Sequence, residues 1–257
     1  MQKSIFITGA ASGIGRATAE LFASRDWLVG LVDFDDEGLR RVAAGLKPRK
    51  VWIGDLDVTD YAAYELTLAK FAEETDGRLD VLFNCAGVLR QSPFEELDRD
   101  DEKTILAVNV LGVTNGIHAA LPLLKSTPGA HVVSMSSSAA IYGVPEEAMY
   151  SASKFAVRAL TEALSLEFEQ YSIIVCDIMP PIVHTPMVAN QAFAAAVYKN
   201  LKDEGMTADQ VARVVWDAAH GTKLHWLPTP AVQRFARAHR VSTRLARSLM
   251  KRVASHR

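Results

Sequence analysis

Ser4-Ile5-Phe6-Ile7-Thr8-Gly9-Ala10-Ala11-Ser12-Gly13-Ile14-Gly15-Arg16 is the stretch that decides the fold. The run 4–8 is apolar almost throughout, the pattern of a strand buried on both faces of a parallel sheet. Helical periodicity begins at Arg16 and continues over 16–24. Between the two stand Gly9, Gly13 and Gly15. Missing Cβ atoms let a backbone approach a pyrophosphate closely. The start of a helix offers free N–H groups and a partial positive charge to the same anion. The spacing Gly-x-x-x-Gly-x-Gly differs from the more familiar Gly-x-Gly-x-x-Gly. Its weight comes from its place after the first strand and from Asp33 at the end of the second.

Outward from this unit the alternation continues. Strands are expected over 27–33, 51–56, 79–85, 130–135 and 173–179. Helices are expected over 37–46, 61–74, 103–124 and 150–171. Strict β-α-β alternation with wholly apolar strands gives an α/β doubly wound parallel sheet with right-handed crossovers. The reading divides the chain into one domain, 1–228, and a basic helical tail, 229–257. No long linker, internal repeat or low-complexity segment interrupts it. The stretch 185–201, rich in Ala, Val and Met, breaks the alternation after the sixth strand. It lies outside the carboxyl ends of the strands, where such folds bind ligands, and reads as a lid or as a surface helix.

The 257 residues suit one such domain, and 49% apolar residues supply a large core. The net charge of −2 excludes nucleic-acid binding by the chain as a whole. The charge is unevenly placed. From position 221 to the end there are nine Lys or Arg and no Asp or Glu, against nineteen bases and all thirty acids before it. Cys85 and Cys176 fall in apolar runs whose spacing fits neither a metal site nor a disulfide framework. Met1 leads straight into a strand, and no apolar stretch of about 20 residues is seen. The expectation is a cytoplasmic protein with buried thiols and no metal.

A second motif carries chemistry. Tyr150 and Lys154 stand four apart, one helical turn apart on one face, after the run Ser136-Ser137-Ser138. A phenol beside an ammonium makes a general acid/base. With the glycine loop it points to hydride transfer on an alcohol or ketone. Asp33 is placed to accept the ribose hydroxyls of an adenosine and to repel a 2′-phosphate. Asp35, Asp36 and Glu37 add to that negative field, which favours NAD over NADP. Arg16 argues the other way, since a cation beside the loop pairs with a 2′-phosphate. Asp57 ends the third strand, where it can bond an adenine, and Asp60 reads as a helix N-cap.

These motifs resemble those of the short-chain dehydrogenase/reductases, in their single-domain branch. The resemblance covers roughly 5–227. It rests on 8–15, Asp33, Asp57-Val58, Asn84-Cys85-Ala86-Gly87, Asn109, Ser137, Tyr150-Ser151-Ala152-Ser153-Lys154, and 180–185. It implies a Rossmann fold and a catalytic tetrad of Asn109, Ser137, Tyr150 and Lys154. Tyr150 would move the proton, its phenol lowered from about 10 by Lys154 and the positive nicotinamide. Lys154 would also hold the nicotinamide ribose. Ser137 would hold the carbonyl oxygen, and Asn109 would kink its helix and hold a water linking Lys154 to solvent. The implied cofactor contacts are Gly9, Ser12, Gly13, Ile14, Gly15, Asp33, Asp57, Val58, Asn84, Ala86, Gly87, Tyr150, Lys154, Pro180, Val183 and Thr185. Two departures stand out. Cys85 replaces an Asn, and Pro181 replaces the usual Gly, which removes an N–H and fixes φ.

Substrate contacts are expected from Leu89, Ala139, Tyr142, Ile182 and Met187. They are nearly all apolar, so the expected substrate is a hydrophobic secondary alcohol or ketone. The tail after Pro230 reads as one amphipathic helix, with Phe235, Ala238, Val241, Leu245, Leu249 and Val253 on one side. Arg234, Arg237, Arg240, Arg244, Arg247 and Lys251 fall mostly on the other. It would pack on its own body or a sister subunit; a peripheral membrane contact or a nucleic-acid contact are the alternatives. By resemblance a homodimer or homotetramer forms on the helices of Asn109 and Tyr150. The rival to an enzyme is a nucleotide-sensing protein that keeps the fold without the activity. Such proteins typically lose the Tyr or the Lys.

Overall fold

The computed structural model describes residues 2–189 and 205–254. Most of the expected lid lies outside the described residues. Within 2–178, six strands alternate with helices: β1 Ser4–Thr8, α1 Gly13–Ala23, β2 Leu28–Asp33, α2 Asp36–Gly45, β3 Val51–Asp55, α3 Tyr61–Glu74 and β4 Val81–Asn84 lead. There follow α4 Arg99–Leu106, α5 Gly112–Lys125, β5 His131–Met135, α6 Ala148–Glu167 and β6 Ile174–Ile178. Beyond them come β7 Val183–His184, α7 Pro186–Ala189, β8 Met206–Thr207, α8 Ala208–Ala218, β9 His225–Trp226, α9 Pro230–Val241 and α10 Thr243–Ala254.

Seven strands form one parallel sheet in the order β3-β2-β1-β4-β5-β6-β9. Side chains alternate across it with the period of two that a strand imposes. Ile5 and Ile7 face α1 and α8, among Phe22, Ala19, Val211 and Val215. Phe6 faces α3 and α5, among Tyr64, Leu68, Phe71, Ile117 and Leu124. Each of these large side chains, fully buried, contributes about 1.5–3 kcal/mol. The strand order reverses between β1 and β4. That reversal opens a crevice at the carboxyl ends of the strands, the binding place of such folds.

Local chemistry sets the helix ends. Ala63 N–H donates to Asp60 Oδ1 at 2.9 Å, so Asp60 is the N-cap of α3. Between α4 and α5 the chain makes a π-helical turn, Ala107–Leu111, instead of one uninterrupted α-helix. Such a bulge inserts one extra residue and re-aims the side chains on it, a frequent device at functional sites. The combined helix, Arg99–Lys125, corrects the reading that no segment is apolar enough to span a bilayer, since by length and composition it qualifies. It packs as a core helix, with Val113, Ile117, Ala120 and Leu124 buried against the sheet.

The tail differs from expectation. It is two helices, because Ser242 takes an extended backbone (φ −157°, ψ 116°) between them. Its hydroxyl then accepts from Leu245 N–H at 3.3 Å. Val232 is buried with Ile141 and Met179, and Phe235 packs beside them. The apolar side of α9 is thus turned onto the body, while Val241 is 85% exposed.

Candidate active site

The crevice is a cleft of about 500 Å³. One end is the turn between β1 and α1. Gly9 and Gly13 have φ of +69° and +51°, conformations that L side chains rarely adopt. A Cβ on Gly15 would strike the carbonyl oxygen of Gly9, so only glycine allows the turn to close. Ser12 precedes the helix with its hydroxyl making no cap bond, and the first turn of α1 holds no acid. The orphan N–H groups of that turn, with Ser12, Gly13, Ile14 and Gly15, line the cleft. Thr8 Oγ1 accepts from both Cys85 and Ala86 N–H at 3.0 Å, which ties the end of β1 to the loop after β4.

Asp33, at the end of β2, accepts from Ala11 N–H through Oδ2 at 3.0 Å and from Asp35 N–H through Oδ1 at 3.1 Å. It lines the cleft with Phe34, Asp35, Asp57 and Val58. The expected negative field is narrower than the sequence indicates. Asp36 pairs with Arg40 at 2.8 Å, and Glu37 pairs with Arg41. Arg16 pairs with Glu20 at 3.5 Å, away from the residues that line the cleft. Asp57 Oδ1 accepts from Thr59 N–H and from Thr59 Oγ1 at 2.9 and 2.8 Å, so its turn is held locally. A dinucleotide fits these residues: a loop that a single Cβ would block, an open helix N-terminus for phosphate, and a carboxylate for ribose.

Of the other cofactor positions, Ala86, Gly87, Pro180, Val183 and Thr185 line the cleft. Asn84 does not, which corrects the expectation for it. It is buried behind the cleft, where its amide donates to Ser134 Oγ at 3.4 Å. The Pro180-Pro181 turn is held without the missing N–H. Ser138 N–H donates to Pro180 O at 2.9 Å, Met206 N–H donates to Ile182 O at 2.9 Å, and β7 pairs with β8.

The other end is built on α6. Tyr150 and Lys154 lie one turn apart, with the Lys154 Nζ 5.5 Å from the phenol ring centre. Lys154 is 4% exposed, and its Nζ donates to Met135 O at 2.9 Å. Burial lowers its pKa to about 8. Burial raises the Tyr150 phenol and Glu147 raises it further, while a hydrogen bond with Ser137 lowers it. The expected lowering by Lys154 is not among these effects: burial sets the direction, and the one group that favours the phenolate is Ser137. Of the three serines, Ser137 is the one bonded to Tyr150. Ser136 Oγ donates to Lys154 O at 3.2 Å.

Asn109 sits on the π turn, fully buried. Its Oδ1 accepts from Val88 N–H at 2.8 Å, and its Nδ2 donates to Val88 O and Ser153 Oγ at 2.9 and 3.0 Å. Ser153 Oγ in turn donates to Tyr150 O at 2.6 Å. The side chain thus fixes the loop after β4 to the helix that carries Tyr150. The expected helix distortion is present. Its amide is taken up by these bonds.

Leu89, Ala139, Ile182 and Met187 line the substrate end of the cleft. Tyr142 does not. The 3₁₀ turn Ser138–Ala140 carries it away, and its ring meets the His239 ring edge-on at 5.9 Å. Three residues at this end went unread in the sequence: Val144, Glu147 and Met250 of α10. Glu147 looks in the sequence like an ordinary surface residue, and Met250 reaches the cleft only through the fold of the tail.

Comparison with known proteins agrees with this geometry. The family model described as short chain dehydrogenase matches residues 3–195. An uncharacterised oxidoreductase of Listeria monocytogenes is 32% identical over 220 residues, covering 83% of this chain and 88% of that protein. The 2,5-dichloro-2,5-cyclohexadiene-1,4-diol dehydrogenase of Sphingobium indicum is 34% identical over 193 residues, covering 73% of this chain and 76% of that protein. Among solved structures, a short chain dehydrogenase/reductase of Burkholderia phymatum in complex with NAD superposes with a TM-score of 0.86 at 28% identity, covering 95% of each chain. A glycine turn, a carboxylate at the second strand and a Ser-Tyr-Lys cluster share one cleft, and the chain belongs to the short-chain dehydrogenase/reductase family of oxidoreductases.

Proposed function

We propose that the protein interconverts a hydrophobic secondary alcohol and its ketone with NAD, using Tyr150 as general acid/base. One observation carries the reading: Ser137, Tyr150 and Lys154 meet at one end of a cleft whose other end is the glycine turn and Asp33. Bound there, a nicotinamide dinucleotide supplies the hydride acceptor or donor. Tyr150 Oη holds or releases the proton of the substrate oxygen. Ser137 orients that oxygen and, by its hydrogen bond, favours the phenolate. Lys154, fixed by Met135 O, supplies positive charge beside the ring. Asn109 positions both through Val88 and Ser153. The apolar walls at Leu89, Ala139, Ile182 and Met187 exclude water and favour an uncharged substrate.

Asp33 supports NAD over NADP, because its carboxylate faces the cleft while Arg16 is engaged with Glu20. The diol dehydrogenase among the relatives, and a levodione reductase that superposes with a TM-score of 0.81 at 28% identity, make alcohols and ketones the first probes. The nucleotide-sensing alternative finds no support, since both Tyr150 and Lys154 are in place. Leu106 and Leu111 on the Asn109 helix and Phe155 and Leu166 on α6 are exposed, which supports a homodimer or homotetramer through these helices. Free Cys85 and Cys176 support a reducing, cytoplasmic setting. The test is nicotinamide absorbance on a panel of hydrophobic alcohols and ketones. Turnover that falls at least about a hundredfold in Tyr150→Phe, with NADH still bound, is expected; undiminished turnover in Tyr150→Phe refutes the reading.

A further inference from the structure

One group at the substrate end is out of keeping with its surroundings. Glu147 lines the cleft beside Val144, Leu89 and Met187, and among the described lining residues it is the one carboxyl at that end. The other carboxyls of the lining, Asp33, Asp35 and Asp57, stand at the far end near the glycine turn. Glu147 is largely buried, and no cation pairs with it among the described residues. Its one hydrogen bond comes from Gln91, whose Nε2 donates to Oε1 at 2.8 Å. Gln91 is itself held: Ser92 N–H donates to Glu146 O at 3.0 Å, which clamps the loop after β4 to the start of α6. The second carboxyl oxygen of Glu147 is not sealed in. It has no protein partner and is absent from the fully buried orphan atoms, whereas Gln91 Oε1 is among them.

A carboxyl that served only to anchor Gln91 would do so at a large desolvation cost, which an amide or a hydroxyl would avoid. Buried in this way, it is pushed up to about 7. Near neutral pH it is therefore present in both forms, able to accept a hydrogen bond or to donate one. It also lies close enough to Tyr150 for its charge to raise the phenol. Glu147 is the N-cap residue of α6 and Tyr150 stands in the first turn, so both line one cleft from the same helix end, within reach of a single small molecule.

We infer that Glu147, steadied by Gln91, is a specificity residue that hydrogen-bonds a second oxygen of the substrate, so that the substrate is a diol or a hydroxyketone and not a plain apolar alcohol. The inference rests on the oxidoreductase reading above and adds the chemical class of its substrate. An ammonium on the substrate is the competing partner, and it would lose its own hydration among the apolar walls of this end of the cleft.

The test compares wild type, Glu147→Gln and Glu147→Leu on cyclohexanol, cyclohexane-1,2-diol and cyclohexane-1,4-diol, with NADH binding measured for each protein. In wild type one of the diols is expected to exceed cyclohexanol in kcat/KM by about tenfold or more, the size of a hydrogen bond made to a buried polar group. In Glu147→Leu that ratio falls toward one, mainly through KM of the diol. Glu147→Gln keeps most of it, because an amide still donates and accepts. A ratio that is the same in wild type and Glu147→Leu overturns the inference. Should Glu147→Leu fail to bind NADH, Glu147→Gln and Gln91→Leu decide instead: an unmoved ratio in Gln91→Leu, with NADH bound, overturns it. A wild type that binds NADH and turns over no carbinol overturns the oxidoreductase reading and this inference together. Turnover with no diol preference overturns only the role of Glu147.

Discussion

Gly15→Ala puts the cofactor end of the cleft to a quantitative test. A Cβ at this position would overlap the Gly9 carbonyl oxygen and lie 2.7 Å from Gly9 C and 3.0 Å from Ala10 Cα. All three are backbone atoms, so no rotamer change relieves the clash. The loop cannot yield toward β4 either, because Ala86 Cα is 2.9 Å from the Cβ position of Gly9. The turn must lift away from α1 as a unit. Overpacking of this kind costs about 1–3 kcal/mol, offset in part by the roughly 1 kcal/mol that Ala gains over Gly in a helix. A lifted loop misdirects the N–H groups of the first turn. NADH binding by calorimetry is therefore expected to weaken by about 5- to 150-fold. The melting temperature falls by up to about 8 °C, the net loss of up to about 2 kcal/mol at 2–4 °C per kcal/mol for a domain of this size. Gly45→Ala is the control. It ends α2 with nothing within 4 Å of its Cβ position, so it should leave NADH affinity alone and not lower stability. A Gly15→Ala protein that binds NADH within about twofold of wild type would refute the cradle.

Lys154→Met is expected to abolish turnover yet stabilise the ligand-free protein at pH 7. Burial moves the ammonium from 10.5 to about 8, a cost on the order of 3 kcal/mol to the charged form. The unfolded chain binds the extra proton between pH 8 and 10.5, so wild-type stability rises with pH across that window and the advantage of Lys154→Met shrinks there. Melting curves at pH 7 and pH 10 check this, and a wild type that loses stability over that interval through this residue contradicts it. Asp33→Asn keeps one acceptor for Ala11 N–H but removes the charge, so the NADPH-to-NADH affinity ratio should rise at least about tenfold, given roughly 4 kcal/mol between unit charges 4 Å apart at an effective dielectric of 20. Leu111→Arg, at a residue 56% exposed on the Asn109 helix, should lower the molar mass seen by light scattering; an unchanged oligomer places the interface elsewhere. Liposome co-sedimentation of the full chain and of a chain ended at Pro228 tests the tail, and equal pelleting removes the membrane alternative.

The fold was legible wherever a strand was long, apolar and central. β1 to β4 follow from runs that are apolar almost throughout, β5 and β6 do so in spite of Ser134 and Asp177, and the ends differ from expectation by at most two residues. β9 was not legible, because it has only two residues, one of them His225, and is made a strand by pairing with β6. β7 and β8 were hidden for the same reason. The single tail helix was misread because helical periodicity passes straight through Ser242, whose cap and extended backbone divide it. Tyr150 and Lys154 were readable because helix pitch sets them one turn apart on one face, whereas Ser137 was singled out from its neighbours only by the family resemblance. Glu147 and Gln91 were not, since 56 positions separate them and each looks like an ordinary surface polar residue. Asn84 and Tyr142 were named for the site but do not line the cleft: Asn84, the last residue of β4, bonds to Ser134, and the Tyr142 ring meets His239.

The ionisable groups at the substrate end share a direction that explains their company. Tyr150 is raised, Glu147 is raised to about 7, Cys85 is raised to about 12 and Lys154 is lowered to about 8, and in every case burial is the first cause. Each shift moves the group toward its neutral form, as low dielectric requires. At neutral pH Tyr150 and Cys85 keep their protons, Glu147 is divided between its two forms and Lys154 stays charged, so the wall carries less charge than fully ionised groups would give it. Such a wall meets the oxygens of an apolar molecule with hydrogen bonds at a reduced desolvation cost. A fold optimised for stability alone would fill these positions with Leu, Met or Phe and gain from the exchange. Their clustering around one cleft is the kind of local violation that marks a working site, and it predicts that the stabilising substitutions of this protein will concentrate where its activity is lost.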